Sequence, residues 1–170
     1  MPRNIEIKAR VASMPELRQR TAALATEGPV EIAQDDTFFH CDLGRLKLRA
    51  FSAQRGELIF YRRANASGPK ESFYVVTPTA EPDGLREALT FAYGQSGRVV
   101  KQRTLYIVGR TRVHLDRVKD LGDFMELEVV LADGDSPDDG FAEATDLMAS
   151  LGIDESQLIE GAYLDLLARK

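Results

Sequence analysis

The sequence contains a single cysteine, Cys41, and no long run of apolar residues. One thiol can form neither an internal disulfide nor a cluster of thiolate metal ligands, which favours a reducing cytoplasm as the compartment. The apolar stretches fall well short of a membrane span, and the N-terminus lacks the apolar segment of a signal peptide. We therefore expect a cytoplasmic protein that does not enter a membrane.

Positive charge is also in short supply, because 22 lysines and arginines stand against 27 aspartates and glutamates, for a net charge of −5. This balance argues against a general binder of nucleic acids or of membrane surfaces. Any cluster of cations should then serve a specific purpose. The 170 residues are 44% hydrophobic and 29% charged, without a linker rich in Pro, Gly or Ser. The sequence therefore predicts a single domain over residues 1–170 with a sizeable core.

Alternating polar and apolar residues predict seven strands, at about residues 4–11, 44–51, 57–63, 71–77, 99–108, 111–117 and 124–131. Capping residues and apolar stripes predict four helices: from Ser13 to before Gly28, from Asp83 to about Tyr93, from Ser136 to near Gly152, and over about residues 155–167. Gly109 is predicted to form a hairpin turn. These elements indicate an α+β fold, mainly of antiparallel sheet, and such a sheet can close.

Charged side chains recur on one face of several predicted strands. The first strand presents Asn4, Glu6, Lys8 and Arg10 on one face. Four further strands present Arg45, Lys47 and Arg49; Lys101 and Arg103; Arg112, His114 and Asp116; and Glu126 and Glu128. A polar face in contact with solvent is one explanation. The charges segregate by strand, however, with cations on two strands and carboxylates on another, which favours a charged cavity inside a curled sheet.

The residue types on these faces suit a phosphate ligand held together with a metal ion. Several arginines and lysines from different strands can hold phosphoryl groups, because the charge of such groups is spread over several oxygens. Mg²⁺ and Mn²⁺ prefer carboxylate ligands, and the candidates are Glu6, Asp116, Glu126 and Glu128. About six cations with a few acids match a triphosphate better than a monophosphate. A nucleic-acid duplex would not fit inside such a tunnel.

Six segments, in this order, resemble the CYTH family, which contains class IV adenylate cyclases and thiamine triphosphatases. They are NIEIK (Asn4 to Lys8, against the family's E-x-E-x-K), DTFF (Asp36 to Phe39), GRLKLR (Gly44 to Arg49), KQR (Lys101 to Arg103), RVHLD (Arg112 to Asp116) and LGDFMELE (Leu121 to Glu128). The resemblance covers nearly the whole chain. It implies a triphosphate tunnel, which is an eight-stranded closed antiparallel β-barrel with helices packed outside. Asn4 departs from the family pattern, which has glutamate there.

The resemblance also implies roles for individual residues. It implies metal ligands at Glu6, Glu126 and Glu128 with Asp116 nearby, and phosphate-binding cations at Lys8, Lys47, Arg49, Arg62, Lys101, Arg103 and Arg112. Lys8 and Glu6 would act in catalysis. The strand phase at LIFYRRAN leaves open whether Arg62 or Arg63 faces the tunnel. His114 could titrate near neutrality or make a structural hydrogen bond. Turn or strand-start roles, rather than ligand roles, are predicted for Asp35, Asp36 and Thr37.

These residues predict an enzyme that uses Mg²⁺ or Mn²⁺ to hydrolyse a small-molecule triphosphate, whether inorganic triphosphate, thiamine triphosphate or a nucleoside triphosphate. A class IV adenylate cyclase, which converts ATP to cyclic AMP and pyrophosphate, is an alternative that uses the same kind of tunnel. A third alternative is a sensor that binds a triphosphate without turnover, and Asn4 keeps it open. The sequence does not choose between a monomer and a homodimer.

Overall fold

The computed structural model describes residues 3–64 and 67–170. Its strands are β1 (Arg3–Arg10), β2 (Glu27–Phe39), β3 (Arg45–Ser52), β4 (Arg55–Arg63), β5 (Lys70–Thr79), β6 (Gln95–Val108), β7 (Thr111–Val118) and β8 (Gly122–Leu131). Its helices are α1 (Met14–Leu24), α2 (Pro82–Tyr93), α3 (Pro137–Ser150) and α4 (Tyr163–Ala168). The strands pair antiparallel in the order β1-β5-β4-β3-β2-β6-β7-β8, and β8 pairs again with β1. The predicted α+β fold with an eight-stranded closed sheet is confirmed.

Strand β2 is the strand that alternation alone does not predict. Its residues 27–31 are all exposed and include Gly28, Pro29 and Val30, so this part lacks the alternation of a half-buried strand. It forms because it has a partner on each side, pairing with β6 along its whole length and with β3 from Asp35 to Phe39. The eighth strand was therefore implied only by the family resemblance.

Three helices begin close to where the sequence predicts them. The hydroxyls of Ser13 and Ser136 cap α1 and α3 by accepting hydrogen bonds from backbone N–H groups in the first turn. Helix α2 begins at Pro82, and its N-cap is Glu81 rather than Asp83. In the described part of the chain, no helix has the length and apolar character needed to cross a membrane.

The predicted helix over residues 155–167 is wrong. A 3-10 turn at Glu155–Gln157 and the six-residue α4 stand on either side of an extended stretch. This stretch pairs with β1, where Leu158 bridges to Ala9 and the N–H of Ile159 donates to the carbonyl of Lys8. These tertiary hydrogen bonds replace those that a continuous helix would make.

The apolar faces of the strands point outward, toward the helices. Ile5, Ile7 and Ala9 of β1 are fully buried in a core that also contains residues of β8 and α3. Gly140 lets α3 approach β1, since a Cβ atom there would lie 2.7 Å from Cγ1 of Ile5. The polar faces consequently point into the barrel, and the alternative of a solvent-facing polar sheet is wrong.

The C-terminal segment closes one end of the barrel. Tyr163 of α4 packs into a buried cluster with Phe38, Val99, Val118 and Phe124. Its ring meets that of Phe124 edge-on, with 5.1 Å between the centroids. The cavity inside the barrel therefore has a floor at this end.

Candidate active site

A cavity of about 540 Å³ occupies the barrel interior. Among the described residues, eight lysines and arginines and five aspartates and glutamates line it, an excess of three formal positive charges. The cations are Lys8, Lys47, Arg49, Arg55, Arg63, Lys101, Arg103 and Arg112, and the acids are Glu6, Asp36, Glu57, Glu126 and Glu128. In a chain with a net charge of −5, this concentration of positive charge is suited to an anion.

Asp36 of β2 orders three of these cations. Its carboxylate, which is 1% exposed, accepts hydrogen bonds of 2.8 Å from both Nε and Nη2 of Arg49. The Nζ atoms of Lys47 and Lys101 lie 3.2 and 3.3 Å from Oδ2 of the same carboxylate. Burial alone would raise the pKa of Asp36, but the three cations hold it well below its ordinary value.

The prediction of a turn or strand-start role for residues 35–37 is wrong. All three lie inside β2, and only Asp36 faces the cavity. Asp35 pairs with Arg98, and Thr37 accepts a hydrogen bond from Arg86 of α2. The DTFF segment of the family resemblance was the sequence signal that could have placed Asp36 in the site.

Two lysines beside Asp36 titrate far below the ordinary range of lysine. Burial, reinforced by Arg49, lowers the pKa of Lys47 to about 7. Burial also lowers the pKa of Lys101 to about 8. Nζ of Lys47 lies 5.3 Å from the ring centroid of Tyr61, which supplies an aromatic wall rather than a counter-charge. Lys47 therefore gains or loses a proton near neutral pH.

Lys8 lies at the closed end of the cavity. Its side chain is 3% exposed, and Nζ lies 3.1 Å from Oε1 of Glu126. Nζ also donates to the carbonyl of Gly161 and lies 4.1 Å from the ring centroid of Tyr163. Burial lowers the pKa of Lys8 against the attraction of Glu126. The structure therefore brings Lys8 next to Glu126, a predicted metal ligand. The catalytic role of Lys8 stays a prediction.

Asp116 fixes Arg103 from the side that faces away from the cavity. Nε and Nη2 of Arg103 each donate a hydrogen bond of 2.7 Å to the Asp116 carboxylate, and the hydroxyl of Tyr163 donates a third bond, also of 2.7 Å. Asp116 is fully buried, and the cavity wall includes Arg103 but not Asp116. This carboxylate holds an arginine, and its predicted role as a metal ligand stays a prediction. No pattern in the sequence indicated the part played by Tyr163.

His114, Glu126 and Glu128 form a group whose possible ligand atoms all lie within 4.8 Å of one another. Nδ1 of His114 lies 3.9 Å from Oε2 of Glu126 and 3.8 Å from Oε1 of Glu128. Burial, together with Arg103, lowers the pKa of His114, which favours the neutral imidazole that binds metals. By its distances Nδ1 of His114 has no hydrogen-bond partner among the described residues, and the predicted structural hydrogen bond of His114 stays a prediction.

Glu6 lines the same cavity but has a cation as its partner. Its Oε2 lies 2.8 Å from Nη1 of Arg63, and the residue opposite it on β8 is Glu128. Burial raises the pKa of Glu6 against the attraction of Arg63. Glu6 therefore lies beside the group of His114, Glu126 and Glu128, and its metal-binding and catalytic roles stay predictions.

The structure resolves the phase of strand β4. Arg63 lines the cavity, whereas Arg62 is exposed on the outside of the barrel. The predicted phosphate-binding role of Arg62 is corrected accordingly, because neighbouring residues of a strand point to opposite faces. Arg112 reaches the cavity from β7 and pairs with Glu128 at 2.8 Å.

Asn4 also faces the cavity. It is 2% exposed, and Oδ1 has no hydrogen-bond partner among the described residues. Its neighbours across the sheet are Ser72 of β5 and Val130 of β8. The residue that departs from the family motif is thus part of the site, without a charge of its own.

The lining changes character toward the end of the barrel opposite Tyr163. There the wall includes the apolar residues Ile32, Phe51, Val76, Pro78 and Leu105 together with the charged Arg55 and Glu57. Arg55 lies over the ring of Phe51, 4.6 Å from its centroid. A ligand in this cavity would meet cations toward the closed end and apolar surface toward the open end.

Comparison with known proteins places the chain in a family. Residues 2–163 match the CYTH domain model. The PH1012 protein of Pyrococcus horikoshii OT3 has a similar structure, with a TM-score of 0.85, 22% identity, and coverage of 96% of this chain and 98% of that one. A putative adenylate cyclase of Vibrio parahaemolyticus has a TM-score of 0.78 and 16% identity, with coverage of 97% of both chains.

A third similar structure is the Hippeastrum protein HpAC1, described as a putative adenylyl cyclase with a dominant triphosphatase activity. It has a TM-score of 0.64 and 17% identity, with coverage of 88% of both chains. No curated protein matches the chain. At these identities the structures establish the fold, and the domain model, which spans nearly the whole sequence, establishes that the chain belongs to the CYTH family.

Proposed function

We propose that the barrel cavity binds a small-molecule triphosphate together with a divalent metal ion, and that the protein hydrolyses the terminal phosphoanhydride bond. The observation that carries this proposal is the excess of three formal positive charges in a cavity with one closed end. A triphosphate carries about four negative charges, and the three excess positive charges together with the two of a divalent ion would more than offset them inside the barrel.

The arginines are oriented before any ligand arrives. Arg49 is held by Asp36 and Arg103 by Asp116, in each case through two hydrogen bonds of 2.7–2.8 Å. Guanidinium groups fixed in this way can hold phosphoryl oxygens in defined positions without a large loss of side-chain entropy. Lys47 and Lys101 add charge between them.

The reacting end would lie near the floor, where Lys8 and Glu126 are 3.1 Å apart. A triphosphate that entered from the open end would bring its terminal phosphoryl group toward Lys8. There Lys8 would stabilise the charge that develops on the phosphoryl oxygens, and Glu6 would orient the attacking water. A divalent ion held by Glu126 and Glu128 would neutralise phosphate charge and acidify a bound water. Lys47, whose pKa is about 7, can hold or release a proton at Nζ.

The apolar wall at the open end favours an organic triphosphate over an inorganic one. Phe51, Val76 and Leu105 would bury apolar surface of a nucleoside or thiamine moiety, while its phosphates occupied the charged part of the cavity. Inorganic triphosphate would leave this surface without a partner.

Two alternatives have an observation in their favour. The apolar wall would equally hold the adenosine of ATP for an adenylate cyclase, the label that the Vibrio parahaemolyticus protein carries. The uncharged Asn4 favours a sensor, because it removes one carboxylate from the site. We favour hydrolysis, the activity named as dominant for the Hippeastrum protein.

Product analysis by ³¹P NMR tests the proposal. The purified protein is incubated with Mg²⁺ or Mn²⁺ and separately with ATP, thiamine triphosphate and inorganic triphosphate. Orthophosphate with a shortened chain supports the triphosphatase, and faster turnover of an organic substrate supports the apolar subsite. Pyrophosphate with a cyclic nucleotide would replace the proposal with the cyclase. No turnover of any substrate, with tight binding retained, would replace it with the sensor.

Variants sharpen this test. Arg49→Ala should abolish or strongly reduce turnover, because it removes a cation from the cavity wall. Arg98→Ala is the matched control, since Arg98 pairs with Asp35 outside the cavity and its loss should leave turnover unchanged. Equal effects of the two variants would contradict the placement of the substrate in the barrel.

A further inference from the structure

We propose that a ring nitrogen of His114 is a ligand of the metal ion, and that the site therefore binds a transition-metal ion such as Mn²⁺ or Co²⁺ more tightly than Mg²⁺. This inference deepens the proposed function by naming a ligand and a class of metal for the same cavity. It concerns binding of the metal alone, so it can be tested without a substrate.

The position of His114 follows from the register of two strands. His114 of β7 is directly opposite Glu126 of β8, and Glu128 is the next inward residue on that strand. The imidazole and the two carboxylates therefore meet inside the barrel. Nδ1 lies 3.8–3.9 Å from one oxygen of each carboxylate, which is too far for a hydrogen bond.

The orphaned nitrogen is the observation that points to a ligand. The His114 side chain is 7% exposed, and Nδ1 has no hydrogen-bond partner among the described residues. A buried polar atom without a partner has a free-energy cost, because its lost hydration is not compensated. A cation between the ring and the carboxylates would remove that cost. Metal bonds of about 2.0–2.2 Å place neighbouring ligand atoms roughly 3–3.5 Å apart. Nδ1 would therefore need to approach each carboxylate oxygen by roughly half an ångström, and ligand atoms as far as 4.8 Å apart would need to close further.

Cations of the protein already contact the two carboxylates, and they form the competing explanation. Arg103 lies 3.1 Å from Oε2 of Glu126 and Lys8 lies 3.1 Å from its Oε1. Arg112 lies 2.8 Å from Oε2 of Glu128. These ion pairs leave Oε1 of Glu128 facing the imidazole, and they give Nδ1 no partner. Ion pairing therefore accounts for the carboxylates but not for the histidine.

The donor set decides the class of metal. Mg²⁺ prefers oxygen ligands and keeps several waters, whereas an imidazole nitrogen suits transition metals. The ratio of Mn²⁺ affinity to Mg²⁺ affinity should therefore be larger than at a site built from carboxylates alone. We expect the full chain without a histidine tag to bind Mn²⁺ at least tenfold more tightly than Mg²⁺ in calorimetric titrations.

Pulsed EPR of the Mn²⁺-loaded protein, without substrate, tests the ligand directly. A directly bound imidazole gives a ¹⁴N coupling in the electron spin echo, and we expect it in the wild type. His114→Gln should abolish the ¹⁴N coupling. It should also weaken Mn²⁺ binding at least tenfold. His40→Ala is the matched control, because His40 is the only other histidine and is exposed, and it should keep both.

A second variant covers the case in which His114→Gln does not fold. Glu128→Gln should weaken Mn²⁺ binding but retain the ¹⁴N coupling at saturating metal. Absence of the coupling in the Mn²⁺-loaded wild type, its persistence in folded His114→Gln, or no Mn²⁺ binding at all would overturn the inference. Loss of triphosphate turnover with the coupling retained would overturn only the proposed function.

Discussion

The hydroxyl of Tyr163 donates a hydrogen bond of 2.7 Å to the carboxylate of Asp116. This bond joins the C-terminal segment to the cationic wall of the cavity, because the same carboxylate fixes Arg103. The Tyr163 ring also lies beneath Nζ of Lys8 and of Lys101, at 4.1 and 5.6 Å from the ring centroid. The floor of the cavity and the last helix therefore stabilise each other.

Removing this hydroxyl should destabilise the fold. We expect Tyr163→Phe to lower the free energy of unfolding by about 1.5–3 kcal/mol, the usual contribution of a hydrogen bond to a charged group. Urea unfolding followed by circular dichroism measures the change. Tyr93→Phe is the control, because Tyr93 is 57% exposed, and it should change stability by less than about 0.5 kcal/mol. Equal stability of the two variants would show that the bond to Asp116 contributes nothing.

Neighbouring arginines on β4 should differ sharply in their effect on binding. Arg63→Ala removes a cation from the cavity and leaves Glu6 without its partner at 2.8 Å. The loss of a charge-assisted contact, about 1.5–3 kcal/mol, should weaken triphosphate binding roughly 10- to 150-fold. Calorimetry with inorganic triphosphate in EDTA measures the affinity. Arg62→Ala, on the exposed side of the same strand, should change it less than about twofold; a similar loss in both would contradict the phase of the strand.

Binding should weaken as pH rises above neutrality. Lys47, whose pKa is about 7, must be protonated to attract phosphate, so affinity falls once that proton is lost, by up to about tenfold per pH unit. The charged groups around it are Asp36, Arg49, Lys101 and Glu126, together with the Tyr61 phenol.

Metal-free titration with inorganic triphosphate from pH 7.5 to 9 shows this dependence if Lys47 takes part. Lys47→Arg should flatten it, because arginine keeps its charge throughout this range. Some slope should remain from Lys101, whose pKa is about 8. The exposed Lys119→Arg is the control and should leave the slope unchanged. An unaltered slope in Lys47→Arg would assign the titration to another group.

Adding a carboxylate at position 4 should raise turnover. Asn4 is buried in the cavity wall with an unpartnered Oδ1, so Asn4→Glu would place a negative charge where the family motif has one. We expect faster orthophosphate release and tighter metal binding in Asn4→Glu, measured at saturating triphosphate.

Asn4→Gln is the matched control for this change, because it has the length of glutamate without the charge, and it should give no gain. Should Asn4→Glu bind triphosphate tightly but still show no turnover, the sensor would be favoured over the enzyme.

The sequence by itself determined the strands that carry the charges. A strand alternates its side chains between two faces, so Lys47 and Arg49, or Glu126 and Glu128, had to share a face wherever the strand lay. Segregation of the charges by strand then indicated a cavity, which the barrel confirms. The order of the motifs supplied the eighth strand that alternation did not predict.

Only the tertiary structure decided which of these side chains meet. Alternation does not report the register between strands, and it is register that sets Glu126 opposite His114. Alternation also does not show how far a side chain lies from the cavity. Asp116 and Glu126 both fall on the polar face of a predicted strand, but Asp116 is covered by Arg103 whereas Glu126 lines the cavity. Asp36 and Tyr163 depend on contacts between segments far apart in the chain, with Lys101 and Asp116 respectively. Such contacts form only when the sheet closes, so local sequence preferences do not predict them.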